Sequence, residues 1–415
     1  MKFLLSIVFS FSIYFGIAQR TLITADRLFD GISVHDNWGV IIYGNKIETI
    51  GPITSLNEEV DTTIRFENST LMPGMIEGHS HVLLYPYNEM DWNDQVLKES
   101  PNLRAIRGAE MAKRNLLAGF TTLRDLGSEG AGYADVAIKQ SIELGIIQGP
   151  RMLVAGPAIV ATGSYGPKGF HEGVDVPLGA EVADGANIVR VVRDQIGKGA
   201  DFIKVYADYR WGPNKEAKPT FSIEELKLMV ETAASSGRVV VAHAATAEGM
   251  RRAAIAGVKT IEHGTEATPE VLQLMKEKGV AMCPTLAASY YVAQYVDGWD
   301  GQKSTETDRV IKNRAMFQLL LRSGVTIVAG GDVGVFKHGT NVKELELMTE
   351  YGMKPIDVLK SITSVNAQVF GLDSIGQLKS GFLADMIVVK GDPSKEINAL
   401  YDVELVMKDG LIVNQ

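Results

Sequence analysis

One cysteine, Cys283, stands in 415 residues, so no disulfide can form within the chain and the core alone must hold the fold. Cys283 lies in the apolar run Val280-Ala281-Met282-Cys283-Pro284 with no adjacent histidine, which reads as a buried structural thiol rather than a nucleophile. Blocks of basic residues are also missing. The 50 acidic and 41 basic side chains are interspersed and leave a formal charge of -9, which argues against a nucleic-acid partner. Beyond Gln19 no apolar run reaches the roughly 20 residues that a membrane-spanning helix needs. With 46% hydrophobic residues the chain is not disordered and can bury a large core, as one large domain with a smaller one or as two to three domains.

The N-terminus is the exception to this sparseness. Met1-Lys2 precedes an apolar stretch from Phe3 to Ile17, and Gly16-Ile17-Ala18 places small residues at the third and first positions before a cut. That pattern describes a secretory signal peptide over residues 1–18, cleaved after Ala18, and a periplasmic or secreted protein with no membrane span afterwards. The rival reading, an uncleaved anchor, is opposed by the shortness of the apolar run.

Both ends of the remaining chain read as short β meanders. Thr21–Thr24, Gly39–Tyr43 and Lys46–Ile50 alternate with turns, and so do Asp385–Val389, Val403–Met407 and Leu411–Val413, the last two joined by the hairpin turn Lys408-Asp409-Gly410. Pairing them predicts one composite β-sandwich, residues 19–72 plus 372–415. Between them, over 73–371, apolar strands alternate with helical stretches, the pattern of βα units on a parallel sheet. Eight strands are predicted: 75–82, 120–126, 151–155, 201–206, 239–243, 258–262, 280–284 and 325–329. Ser222-Ile223-Glu224-Glu225 is a capping box, and Thr268-Pro269 sets a cap before a first-turn proline. The expected fold class is therefore α/β, a (β/α)8 TIM-like barrel with a small β-sandwich built from both termini, and an open doubly wound sheet is the alternative. The two differ in where chemistry gathers, which for a barrel is the strand C-terminal ends.

His79 and His81 stand one residue apart on an extended segment, so both rings project to the same side and can supply two nitrogens to one cation. Other polar residues end later strands in the same way: Lys204 the fourth and His243 the fifth, while His263 follows the sixth and Asp332 the eighth. Singly, each would pass for a core residue satisfied by a hydrogen bond. Six at one relative position in successive units point to a shared site.

This set resembles the amidohydrolase superfamily, with its His-x-His, strand-four lysine, two later histidines and final aspartate. The resemblance covers nearly the whole chain, including Ser361–Ala367 and Gly376–Asp385 near the C-terminus. Gly119–Asp125, Ala242-His243-Ala244 and Ile261-Glu262-His263-Gly264 are most similar to its imidazolonepropionase-like and prolidase-like branch. It implies a hydrolase with two divalent metal ions, zinc by default, with manganese, cobalt and iron also compatible with nitrogen and oxygen donors. It further implies a carbamate on Lys204 bridging the ions, His79, His81 and Asp332 on one ion, and His243 and His263 on the other. A water between two cations ionises near neutral pH and would be the nucleophile, with Asp332 taking its proton and passing it to the departing amine. Chains of this type are often homo-oligomers.

Some neighbouring positions depart from the superfamily pattern. Glu77 stands where aspartate is usual, and a longer carboxylate could still orient a ligand from behind. Asp125 is a second such acceptor, with an ion pair to Arg124 as its plain structural role. Tyr165, in Thr162-Gly163-Ser164-Tyr165-Gly166, replaces a histidine expected to meet substrate. Tyr206 and Arg210 lie at or just beyond the Lys204 strand, where Arg210 could clamp a substrate carboxylate bidentately. His338 follows Asp332 on the active-site side. The expected substrate is a small molecule with an amide or peptide-like bond, such as a dipeptide or N-acyl amino acid. A mononuclear deaminase or cyclic-amide hydrolase is the first alternative, opposed by Thr246 where such deaminases carry glutamate after His243. A noncatalytic binding protein on the same fold is the second.

Overall fold

The computed structural model describes residues 19–56, 59–171 and 173–413; the expected signal peptide, 1–18, lies outside the described residues. The two ends of the chain do share one sheet. Thr62–Pro73 pairs in parallel with Arg20–Phe29 and antiparallel with Met386–Lys390, so the N- and C-terminal strands meet along a single long strand. Outward from it the order runs through Val403–Lys408 to Leu411–Ile412 on one side, and through Trp38–Tyr43 to Lys46–Pro52 on the other. Asp409 and Gly410 both adopt left-handed φ, 51° and 76°, as the tight hairpin predicted there requires. Ile23, Val40, Leu71, Met386 and Leu405, drawn from both ends, share one apolar cluster. Arg151 ties this sheet to the rest of the protein by bonds to Asp385 and Asp409.

The remainder is α/β with parallel sheets. Met75–Ser80, Phe120–Asp125 and Arg151–Val154 form one group, and Ile203–Tyr206, Val240–Ala244, Thr260–His263 and Ala281–Cys283 lie in order in another. The Asp201 amide donates to Val154 O at 2.8 Å and connects the two. Predicted helix signals hold: Ser222 and Glu225 make a reciprocal capping box before Ile223–Ala234, and Thr268 caps Pro269–Lys278, which Gly279 ends at φ 67°. Among the described residues no helix is long and apolar enough to cross a membrane.

The eighth predicted strand is the largest difference. Around 325–329 the ladder is sparse: Met282 N donates to Thr326 O and Val328 N to Met282 O, both 2.9 Å, on one side, and Gly78 N donates to Ala329 O at 3.0 Å on the other. On that second side, side chains supplement the single main-chain bond. Asn366 Nδ2 donates to Ile76 O and Ala329 O, Asn366 Oδ1 accepts from Ala329 N, and Ser361 Oγ donates to Ile327 O. Both residues come from a helix whose turn widens to a π-helix at Ser361–Val365, the local form that delivers a side chain into such a seam. Periodicity cannot show a strand completed by a distant amide.

Candidate active site

Because the strands are parallel, their C-terminal ends face one way. The register pairs Tyr206 with His243 and Ala244 with His263, which sets these rings side by side. The His243 and His263 centroids are 4.6 Å apart, His79 and His263 5.2 Å, and His79 and His81 5.3 Å. Asp332 Oδ1 lies 3.5 Å from His79 Nε2 and 3.4 Å from His81 Nε2, buried and with no hydrogen-bond partner among the described residues. Burial pushes the Asp332 carboxyl up to about 6 and His263 down to about 3, and holds His79 and His243 well below the ordinary imidazole value. Neutral imidazole is the form that ligates a metal.

Three of the four rings are oriented through their other nitrogen. His79 Nδ1 meets Glu262 Oε2 at 3.0 Å, His81 Nδ1 meets Gly127 O at 2.9 Å, and His263 Nδ1 meets Thr285 Oγ1 at 2.7 Å. Each leaves Nε2 for the centre, the arrangement that outer partners impose on metal-binding histidines. His79, His263 and Asp332 offer atoms within 4.8 Å of one another, a group able to hold an ion. Donor chemistry and the orphaned Asp332 oxygen therefore fit a divalent cation. His243 Nε2 is 3.6 Å from Asp208 Oδ1, and its ring stacks on Tyr206 at 4.6 Å. Lys204 is buried, and burial lowers its pKa; its Nζ lies 5.6 Å from the Tyr206 ring centre and makes no ion pair among the described residues.

The backbone at these positions is strained. His263 and Asp332 have φ of 77° and 65°, and Thr285 and Glu129 have 48°, a region non-glycine residues seldom occupy. Glu77 helps to hold Asp332 in place: its Oε1 accepts from the amides of His79 and Gly331, and its Oε2 from Asn341. Burial raises its pKa to about 7. The longer side chain thus acts on main chain beside both groups, rather than on a ring.

Two expectations are corrected. Asp125 does not pair with Arg124, because neighbouring strand residues face opposite sides. Its Oδ2 instead accepts from the Val82 amide at 2.6 Å, behind His81, while Arg124 binds Glu262 at 2.8 Å. His338, 2% exposed, does not offer a ring nitrogen to substrate, since Nδ1 is engaged by Asn115 and Nε2 by Leu84 O. Arg210 is exposed on the hairpin made by Asp208–Arg210 and Ala217–Pro219, with its guanidinium 5.6 Å from the Tyr209 ring centre. Tyr165 is buried, and its hydroxyl donates to Glu129 Oε2 at 2.8 Å and lies 3.4 Å from that of Tyr206. Thr246, the residue that opposes a deaminase, caps the next helix and donates to Asp208.

Sequence reasoning missed Glu129, Asp208, Glu262 and Thr285. Glu262 had a local signal, a charged residue inside an apolar strand. The others depend on neighbours distant in the chain. Cys283 is fully buried, and burial pushes its thiol well above the ordinary range, as a structural thiol requires.

The amidohydrolase family model matches residues 70–413, and the chain belongs to that family. It is accordingly a metal-dependent hydrolase acting on carbon–nitrogen bonds. An ochratoxinase of Aspergillus niger is 29% identical over 94% of this chain and 85% of its own. Among solved structures, a Xaa-Pro dipeptidase with bound methionine superposes with a TM-score of 0.85 at 32% identity, over 95% of this chain and all of that one. The crystal structure of A. niger ochratoxinase gives 0.79 at 28% identity, over 95% of both chains.

Proposed function

We propose that this protein is an exported amidohydrolase that holds two divalent ions, zinc by default, and cleaves the amide bond of a dipeptide or N-acyl amino acid. The observation that carries this reading is the buried Asp332 oxygen, free of protein hydrogen bonds and facing Nε2 of both His79 and His81. The similarity to a Xaa-Pro dipeptidase and an ochratoxinase supports the substrate class. In the same reading the parallel strands close into a (β/α)8 barrel over 73–371, supported by the bonds of 326–333 to both flanking strands. The terminal segments, 19–72 and 372–415, form the β-sandwich, supported by their shared apolar cluster.

His79, His81 and Asp332 would hold one ion, His243 and His263 the other, and Lys204 as a carbamate would bridge them. Lys204 is suited to this because a buried amine gives up its proton readily, and the neutral amine is what adds carbon dioxide. When bound, the ions would lower the pKa of water and polarise the scissile carbonyl. Asp332, ligating through one oxygen only, would take the proton of the attacking water on its second, free oxygen and deliver it to the departing amine nitrogen. Glu77 and Asp125 keep the flanking backbone in register, and Arg210 at the rim meets the substrate carboxylate.

Metal analysis of the purified protein should find two divalent ions per chain, and chelation should abolish hydrolysis of a dipeptide and N-acyl amino acid panel. Lys204→Ala should lose metal and at least about a thousandfold in turnover, since metal charge stabilisation is worth several kcal/mol. Undiminished hydrolysis by that variant would rule out the two-metal mechanism. Thr285→Val, which keeps shape but removes the acceptor for His263 Nδ1, should weaken metal retention about 10- to 100-fold in competition with a chelator. Unchanged retention would show that Thr285 does not orient the ring.

A further inference from the structure

Glu129 is a buried carboxylate, 3% exposed, with no ion pair among the described residues. Its Oε2 accepts from Trp92 Nε1 at 2.7 Å and from the Tyr165 hydroxyl at 2.8 Å, while Oε1 receives only a long contact, 3.4 Å, from the Tyr206 hydroxyl. Arg104 approaches the same segment but binds its main chain, at Leu83 O, Ser128 O and Glu129 O. Arg104 and Lys204 are close enough to act on this carboxylate but neither bonds it, so its direct partners are neutral donors and it can still accept a directly bonded cation.

The carboxylate also lies near His81. The point where a Cβ on Gly127 would stand is 3.3 Å from Glu129 Oε1 and 3.5 Å from His81 Cε1, which puts these two atoms within about 7 Å of each other. Tyr206, which touches Glu129, stacks on His243. Trp92, Tyr165 and Tyr206, which bond the carboxylate, pack together with Tyr209 into one aromatic cluster, at centroid spacings of 4.6–5.8 Å. A carboxylate beside an aromatic cluster favours an ammonium ion.

We propose that Glu129 receives the free α-ammonium group of the substrate, so that the site selects unblocked dipeptides over N-acyl amino acids. The inference rests on the amide-hydrolase reading and narrows it. In a dipeptide the ammonium is one carbon from the scissile carbonyl, so its partner must stand close to the histidine cluster, as Glu129 does beside the Gly127 segment that binds His81. The carboxylate lies beyond the amide nitrogen, where the exposed Arg210 would meet it in the same reading. A purely structural Glu129, present only to anchor Trp92 and Tyr165, would impart no preference for charge.

The test compares L-alanyl-Xaa with L-lactoyl-Xaa, where Xaa is leucine, phenylalanine, methionine or proline. The lactoyl compound keeps the shape and replaces the ammonium by a hydroxyl. Wild-type enzyme should favour the alanyl member by about 100-fold or more in kcat/KM, as a site that pairs a polar substrate group does. Glu129→Gln, which retains an acceptor for Trp92 and Tyr165, should bring that preference below about 10-fold. Equal wild-type rates on the two members, or a preference unchanged in the variant, would overturn the inference and leave the amide-hydrolase reading standing. Cleavage of no pair would overturn both.

Discussion

Asp332→Asn should lower kcat by about a thousandfold, within the range a positioned proton carrier contributes, while KM changes little. The carboxylate sits at φ 65°, a conformation asparagine adopts with little penalty, and its amide donates to His79 O at 2.9 Å in either side-chain form. Backbone and volume are therefore kept, and what disappears is an oxygen able to take and return a proton. Steady-state kinetics on a hydrolysed dipeptide, with metal content measured in parallel, decides it. A variant that retains its metal and turns over within tenfold of wild type would remove Asp332 from the proton path.

Arg124→Met should cost about 3–5 kcal/mol of stability, the penalty for leaving one member of a buried ion pair without its partner. Arg124 donates to Gly78 O, Thr260 Oγ1 and Glu262 Oε1, and both charged groups are almost fully buried. Glu262 in turn meets His79, so the pair links the strand carrying the first two histidines to the strand carrying His263. Methionine preserves much of the volume but leaves the Glu262 carboxylate uncompensated. Restoring neutrality with Arg124→Met/Glu262→Gln should recover a large part of the loss. Denaturant unfolding of the apoprotein measures both, and a single-variant loss below about 1 kcal/mol would mean the pair contributes little.

The distinction between what was legible and what was not follows from range along the chain. His79 and His81 announce themselves because strand geometry is local, and two residues apart means the same side. His243, His263 and Asp332 could be aligned because each ends or follows an apolar segment, and parallel strands direct those ends to one face. Asp125 was read against Arg124, its neighbour in sequence, whereas the arginine's partner in space is 138 residues away. His338 looked available in a polar loop and is instead held between Asn115 and Leu84. The eighth strand was expected from its apolar residues, but within 325–329 its main-chain pairing to the first strand is a single bond, Gly78 N to Ala329 O, which the side chains of Ser361 and Asn366 supplement.

The sequence by itself therefore determined the class of chemistry: the alternating βα pattern, the six polar residues at strand ends and membership of a hydrolase family are all carried by local pattern. The tertiary structure decided which nitrogen each ring turns inward, because Glu262, Gly127 O and Thr285 reach their histidines from other strands and loops. It also decided that Glu129 meets Trp92, Tyr165 and Tyr206, residues distant from one another in the chain. Hydrogen-bond direction and the pairing of buried charge depend on contacts between distant segments, and no periodicity along the chain encodes them.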